Sequence, residues 1–170
     1  MTNTSLEHFI CSIQKDWEGL TSKSLLKYRE LLKRLANASS DEPWLAKIHI
    51  ERPATVELYS DPVHGYKLLA HTEPKGLYRK PHDHGAGWVL YAPQYGEIKM
   101  ATYKQITNSN GKTQLISREA DRLVVGDCKV FLPGDIHDTT CISDYLLQFR
   151  FTSCDFNMEK KQGRMIQFDV

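Results

Sequence analysis

Residues 81–88 read PHDHGAGW, and they place His82 and His84 one residue apart. On a β-strand, side chains two positions apart point to the same face, so we expect both imidazoles to project together. Two nitrogen donors on one rigid element form half of a transition-metal site. The stretch therefore predicts a strand that carries two metal ligands, with at least one more ligand supplied from elsewhere in the chain.

The best candidate for that further ligand is His137, which ends the stretch LPGDIH at residues 132–137. The Pro-Gly pair predicts a turn, and the residues TTCI at 139–142 suit a strand. A His-x-His pair on its own is equally compatible with a surface pair that binds no ligand. Together with His137 in its turn context, the pattern favours a metal site made of His82, His84 and His137.

At these residues the chain resembles the cupin superfamily, whose members carry two short motifs. The first motif is matched by Gly76, His82-Asp83-His84 and Gly96, and the second by Gly126, Pro133-Gly134 and His137. The resemblance implies a mainly β fold, a double-stranded β-helix barrel (jelly roll) with the metal inside it. The superfamily usually adds a glutamate ligand after the second histidine, and here that place is held by Trp88 or Val89.

The three-histidine set and the upstream run LYSDPVHGY at residues 58–66 are similar to the cysteine dioxygenase family. This resemblance covers roughly residues 53–152, and it implies a mononuclear iron site that oxidises a thiol with O₂. The chain departs from the family at three places. Val89 stands where many members have a cross-linked cysteine, and no arginine lies near Val56 or Glu57, where the substrate carboxylate would be bound. On the late strand, the serine–histidine–tyrosine set of the family is replaced by Leu147, Phe149 and Phe151. These departures argue against cysteine itself as the substrate.

The charge of such a site favours an anionic ligand. Three neutral imidazoles leave a divalent ion with its full charge, and a metal deprotonates a bound thiol. Iron(II) prefers six ligands, so three histidines leave positions for a substrate and O₂. Zinc would also accept three histidines, and nickel or manganese is compatible with them. The residues alone do not choose the metal, and the family resemblance favours Fe(II).

The candidate catalytic residues are Arg150, Gln148 and Tyr91. Alternation along residues 145–152 places Gln148 and Arg150 on one face of a strand, although the pattern does not show which face lines the pocket. A buried arginine is costly unless it meets an anion, so we expect Arg150 to bind an anionic group of the substrate. The alternatives for Arg150 are an exposed edge position and a structural ion pair. Tyr91 is expected to pack beside the metal strand and to wall the cavity.

The composition fits one globular domain over residues 1–170, with a helical cover at 1–45 and a β-barrel at 46–170. The chain has 170 residues, 41% of them hydrophobic and 25% charged, and a net charge of +1. This balance argues against nucleic acid or an anionic membrane as a partner. Four scattered cysteines and an N-terminus without a secretion signal predict a cytoplasmic protein with reduced thiols.

Helical periodicity predicts two N-terminal helices packed outside the barrel, followed by many short strands. Thr4 and Glu7 form a capping box for a helix that runs to about Trp17, and a second helix starts near Thr21 or Ser22. Pro43 opens a short turn. From about residue 47 we expect strands at 54–59, 66–71, 88–92, 97–106, 113–118, 123–125, 128–132, 136–142, 145–152 and 165–168.

The sequence thus predicts a cupin that oxidises a small thiol or related polar molecule with O₂ at a three-histidine iron site. Two alternatives stay open. One is a cupin with another metal that performs isomerase or carbon-centred dioxygenase chemistry. The other is a non-catalytic cupin that senses a small molecule or a metal. The sequence gives no oligomeric state.

Overall fold

The computed structural model describes residues 4–169, which form four helices and nine strands. The helices are α1 (Ser5–Lys15), α2 (Ser22–Ala36), α3 (Pro43–Glu51) and α4 (Phe156–Lys161). The strands are β1 (Val56–Ser60), β2 (Lys67–Pro74), β3 (Tyr78–His82), β4 (Val89–Tyr95), β5 (Ile98–Thr107), β6 (Thr113–Leu123), β7 (Lys129–Phe131), β8 (Ile136–Cys141) and β9 (Tyr145–Thr152). Within this range, no helix combines the length and apolar character needed to cross a membrane.

The strands form two antiparallel sheets with a common buried interior. One sheet has the strand order β1-β2-β9-β4-β7, and the other has the order β3-β8-β5-β6. Strands distant in sequence are neighbours, since β9 lies between β2 and β4. Apolar side chains from both sheets meet between them, among them Val89 and Phe131 from the first sheet and Ile98 and Met100 from the second. The fold is the predicted cupin-type jelly roll.

The N-terminal helices cover the outer face of the five-stranded sheet, as the sequence predicts. Thr4 and Glu7 form the expected capping box of α1, and Thr21 caps α2. The apolar faces of these helices pack against the sheet and form a second hydrophobic core with it, which we call the outer core. Phe151 of β9 lies at its centre, fully buried, and its ring is 5.5–6.3 Å from the rings of Phe9, Trp17, Tyr28, Tyr66 and Trp88.

The segment after Pro43 is a helix and not the predicted short turn. α3 continues to Glu51, so the expected start of the strands near residue 47 is wrong, and the expected division between residues 45 and 46 falls inside α3. Leu45 and Ile48 are three residues apart and both buried in the outer core, which gives the helix its packed face. The sequence prediction overlooked this helical spacing, because the residues KIHI at 47–50 are also compatible with a strand.

The region around the histidines also differs from the sequence prediction. β3 ends at His82 and does not continue to His84, and residues 78–80 were not among the expected strands, because YRKPH shows no apolar alternation and Pro81 cannot donate to a ladder. β3 lies at the edge of its sheet, where a proline is tolerated. Residues 165–168 form no strand and only bridge His82 through Gln167. α4 was missed because six residues are too few for a helical period, and residues 113–123 form one strand where two were expected.

Truncating Phe151 tests the packing of the helical cover on the sheet. Phe151→Ala should lower the free energy of unfolding by about 3–5 kcal/mol, because it leaves a cavity among five aromatic rings. The control is Leu26→Ala on α2, whose side chain is 63% exposed and should change stability by no more than about 0.5 kcal/mol. Denaturant unfolding of both variants measures this. Equal stability of the two variants would show that the helices do not pack here.

Candidate metal centre

The three predicted histidines converge in the interior. Their ligand nitrogen atoms all lie within 4.8 Å of one another. His82 is the last residue of β3 and pairs directly with His137 of β8, whereas His84 lies two residues beyond the end of β3. The prediction that one strand carries both His82 and His84 is therefore wrong, because the chain turns after His82 and brings His84 back to the same point.

The turn that returns His84 packs closely against α4. A Cβ atom at Gly85, where φ is +61°, would lie 2.6 Å from Glu159 Oε2, and one at Gly87 would lie 2.6 Å from the Phe156 ring. The backbone N–H of Ala86 donates to the same Glu159 oxygen at 3.1 Å. The Phe156 ring stacks on the His84 imidazole at 4.9 Å. Glycine is therefore required at both positions, and α4 holds the turn in place.

The histidine rings are held neutral by burial. Burial, reinforced by the Arg150 charge, lowers the pKa of His84 to about 2. Burial also lowers the pKa of His137 well below its usual value and shifts that of His82 in the same direction. His82 Nδ1 donates to the Lys80 carbonyl at 2.8 Å, so its Nε2 carries the lone pair. Neutral rings keep lone pairs available for a metal ion.

The donor set fits a divalent transition metal. His84 Nε2 and His137 Nε2 are 3.4 Å apart, and the group contains no carboxylate among the described residues. Three imidazole nitrogens leave further coordination positions open. The Nδ1 atoms of His84 and His137 are buried without a protein partner. Within residues 4–169, the Lys80 carbonyl, which accepts from His82, is the one group that hydrogen-bonds the second ring nitrogen of a candidate ligand and so orients its ring.

Tyr91 and Arg150 lie beside the histidines, on the inner face of the five-stranded sheet. The Tyr91 hydroxyl is 3.1 Å from His84 Nε2. The Arg150 guanidinium carbon lies 5.1 Å from the centre of the Tyr91 ring and 5.7 Å from that of Phe156. Arg150 Nη1 is 3.3 Å from Nε2 of the buried His71, and Arg150 Nε is buried without a partner. Both candidate residues are therefore placed next to the histidine cluster.

The orientation of β9 resolves the ambiguity left by its sequence. Leu147, Phe149 and Phe151 belong to the outer core, so Gln148 and Arg150 face the interior. β9 is the middle strand of its sheet, which rules out an exposed edge for Arg150. Among residues 4–169, no carboxylate lies within 4 Å of the Arg150 guanidinium, which also argues against a structural ion pair.

Gln148 lies near the histidine cluster but forms no hydrogen bond with it. Its side chain is 2% exposed, and its Oε1 atom is buried without a hydrogen-bond partner. It lies directly across from His71 on β2. Gln148 therefore belongs to the polar interior around Arg150, and it is not among the residues that line the open cavity beside His82.

A cavity of about 540 Å³ opens beside the histidine cluster, with His82 in its wall. Arg150 also lines it, so a molecule in this space can contact His82 and the guanidinium together. Its walls come from β3, β9, α4 and the segment that follows α4. The lining residues are Tyr78, Arg79, Lys80, His82, Arg150, Phe156, Asn157, Lys160, Met165, Ile166 and Gln167.

An ion pair between a buried glutamate and an exposed arginine near the cavity was not predicted from the sequence. Glu73 of β2 is 2% exposed, and its Oε1 atom accepts from Arg79 Nε at 3.0 Å. A glutamate in a strand with an apolar run at residues 68–70 was the available signal, because a buried charge needs a partner. The pair neutralises Arg79 and leaves Arg150 as the cation without a counter-charge at the inner end of the cavity.

No protein-family model matches the chain, and no curated protein matches it. Solved structures with a similar fold include the cupin domain of Schizosaccharomyces pombe Cnp3, at 11% identity and a TM-score of 0.46, covering 65% of this chain and 66% of that one. KdgF from Halomonas sp. has 16% identity and a TM-score of 0.45 over 61% of this chain and 82% of that one.

Peruvianin-I, a cysteine peptidase from Thevetia peruviana latex, has 18% identity and a TM-score of 0.39. Its alignment covers 52% of this chain and 49% of that one, so the chain spans about half the length of this protein. At these identities and TM-scores, the similarities carry no information on activity or ligands.

The buried His71 predicts an acid-sensitive fold. Burial, followed by the charges of Arg150 and Arg79, lowers the pKa of His71 to about 2. As pH falls below about 6.5, the unfolded chain binds a proton that the folded chain does not, so stability is lost. Between pH 7 and 5, wild type should lose about 2 kcal/mol more than His71→Asn in denaturant unfolding.

The control for this experiment is His8→Asn, which removes an exposed histidine from α1. It should lose stability with falling pH as wild type does. If wild type and His71→Asn lose stability in parallel between pH 7 and 5, His71 is not held neutral by its surroundings.

Proposed function

We propose that this protein is a mononuclear metalloenzyme that acts on an anionic small molecule. One observation carries the proposal. His82, His84 and His137 converge as neutral donors, and His82 opens onto the same cavity as Arg150, a cation without a carboxylate partner in residues 4–169. With a divalent ion held by the histidines, a ligand bound there would lie between that ion and the Arg150 guanidinium, and both charges favour an anion.

For the reaction, we propose an iron(II)-dependent oxidation of a small thiol, or a related polar molecule, with O₂. Among residues 4–169, the donor set contains no carboxylate, which supports this choice because the full charge of the ion would then favour a thiolate. When bound, iron(II) would supply open coordination positions for the substrate atom and for O₂. The family resemblance of the sequence favours iron over zinc, nickel and manganese.

The protein's own residues have separate roles in this proposal. Arg150 binds an anionic group of the substrate with the planar fork of its guanidinium. Tyr91 keeps its proton, because burial raises the pKa of its hydroxyl. This hydroxyl lies 3.1 Å from His84 Nε2, where it can donate a hydrogen bond to a bound substrate. Gln148 offers a buried acceptor, Oε1, to the polar groups around Arg150. The Phe156 ring, together with the turn at residues 83–87 that packs against α4, excludes water from one side of His84.

We also propose that the protein works in the cytoplasm with a small molecule and O₂, and without nucleic acid or a membrane. All four cysteines are unpaired in the structure, which is usual for reducing compartments.

Oxygen consumption by iron-loaded protein with a panel of thiols separates the candidate functions. Turnover of a thiol supports the dioxygenase, activity only with another metal supports different cupin chemistry, and tight binding without turnover supports a sensor.

Removing one histidine tests the metal centre. Wild type should bind close to one transition-metal ion per chain, whereas His84→Ala should lose nearly all of it, because only two donors remain. The control is His8→Ala, which changes an exposed histidine on α1 and should keep the wild-type metal content. Elemental analysis gives the metal content, and circular dichroism confirms the fold. A fully loaded His84→Ala protein would contradict the assignment.

Replacing Arg150 tests the binding of the anionic group. Arg150→Lys keeps the charge but loses the bidentate geometry, so kcat/KM should fall by at least about tenfold while metal content stays unchanged. Arg122→Lys is the matched control, since Arg122 pairs with Glu97 on the surface, outside the cavity. An unchanged kcat/KM in Arg150→Lys would show that Arg150 does not contact the substrate.

A further inference from the structure

The cavity continues past Arg150 along α4, where it offers a second place for a ligand to bind. Phe156, Asn157 and Lys160 of α4 line the cavity. Lys160 follows Asn157 by three residues and Phe156 by four, so the three side chains lie on one side of the helix. A volume of about 540 Å³ lies within the usual range for ligand pockets and exceeds the need of a thiol with a few heavy atoms. The outer part of the space is therefore free for the remainder of a longer ligand.

The charges along this space are all positive. Arg79, Lys80, Arg150 and Lys160 line the cavity, and none of the lining residues is acidic. Arg79 is paired with Glu73, and Lys80 is paired with Asp169. Within residues 4–169, neither Arg150 nor Lys160 has a carboxylate within 4 Å. Two cations at different depths of one cavity thus remain without a counter-charge.

The position of Lys160 is fixed by its neighbour in the helix. Glu159 is 4% exposed and points away from the cavity, where it accepts from Arg164 Nε at 2.8 Å and from the Ala86 N–H at 3.1 Å. These contacts tie α4 to the turn that carries His84. Lys160 is the next residue, so its side chain is presented to the cavity from a helix that cannot rotate without breaking the Glu159 contacts.

We infer that Lys160, with Asn157 beside it, forms a distal anion-binding subsite, and that the natural ligand carries two anionic groups. One group binds Arg150 next to the histidine cluster, and the second lies near Lys160 toward the surface. Lysine presents a compact charge without a fixed geometry, which suits a carboxylate or a phosphate at this end. The inference rests on the proposed function, since it extends the ligand assigned to the same site.

The test compares dicarboxylates with monocarboxylates of equal chain length. Succinate, glutarate and adipate are titrated by calorimetry against butyrate, pentanoate and hexanoate, using the full chain with and without bound metal. At least one dicarboxylate should bind about fivefold more tightly than its monocarboxylate counterpart, and this preference should weaken as salt is raised. Because the comparison needs neither turnover nor metal, its result is independent of whether the proposed oxidation is correct.

Lys160→Met is the decisive variant, because it keeps the length of the side chain and removes the charge. The dicarboxylate should lose its preference, while the affinity for the monocarboxylate stays unchanged. Lys161→Met is the matched control, since Lys161 is adjacent on α4 but does not line the cavity, and it should keep the preference. A preference that survives in Lys160→Met, an equal loss in both variants, or no preference in wild type would overturn the inference. Failure of every acid to bind would also overturn it.

Discussion

The site depends on the burial of three uncharged imidazoles at one point. His82 and His137 are brought together by the pairing of β3 with β8, and His84 joins them only because the turn after β3 folds back against α4. Desolvation keeps the rings neutral, and within residues 4–169 no carboxylate joins the group. The positive charge of the nearby Arg150 further lowers the pKa of all three rings. In the proposed function, this centre holds a metal cation, and the substrate that binds beside it is an anion.

β9 links this site to the stability of the fold. Its alternation sends Phe151 outward into the core under the helices, and sends the neighbouring Arg150 inward to the cavity. The helical cover therefore also supports the site. By packing on Phe151, the helices hold in place the part of the β9 backbone from which the Arg150 guanidinium extends. The opposite side of the cavity depends on α4, where Glu159 ties the helix to the turn of His84. The site is held between one rigid strand and one anchored helix.

Strand spacing predicted a sandwich or barrel, and the resemblance to the cupin superfamily implied the jelly roll. The His-x-His spacing is a local signal for two of the histidines, and His137 was added from its turn context. The sequence also placed Arg150 on the same face as Gln148, yet it could not say which face looked inward, since both faces of β9 are buried. The Glu73–Arg79 pair, the stacking of Phe156 on His84 and the cavity wall made by α4 are contacts between segments far apart in the chain. Such contacts follow from tertiary packing, which local patterns do not encode.

X-ray absorption spectroscopy of the iron-loaded protein tests whether His82, His84 and His137 form the metal centre. We expect one iron environment with three imidazole ligands, no protein sulfur and no protein carboxylate, and with the remaining positions filled by exchangeable light atoms. Addition of an anionic thiol should then introduce one sulfur scatterer at the iron. A spectrum with fewer than three imidazoles, or with a carboxylate or cysteine ligand from the protein, would contradict the assignment of His82, His84 and His137 as the metal centre.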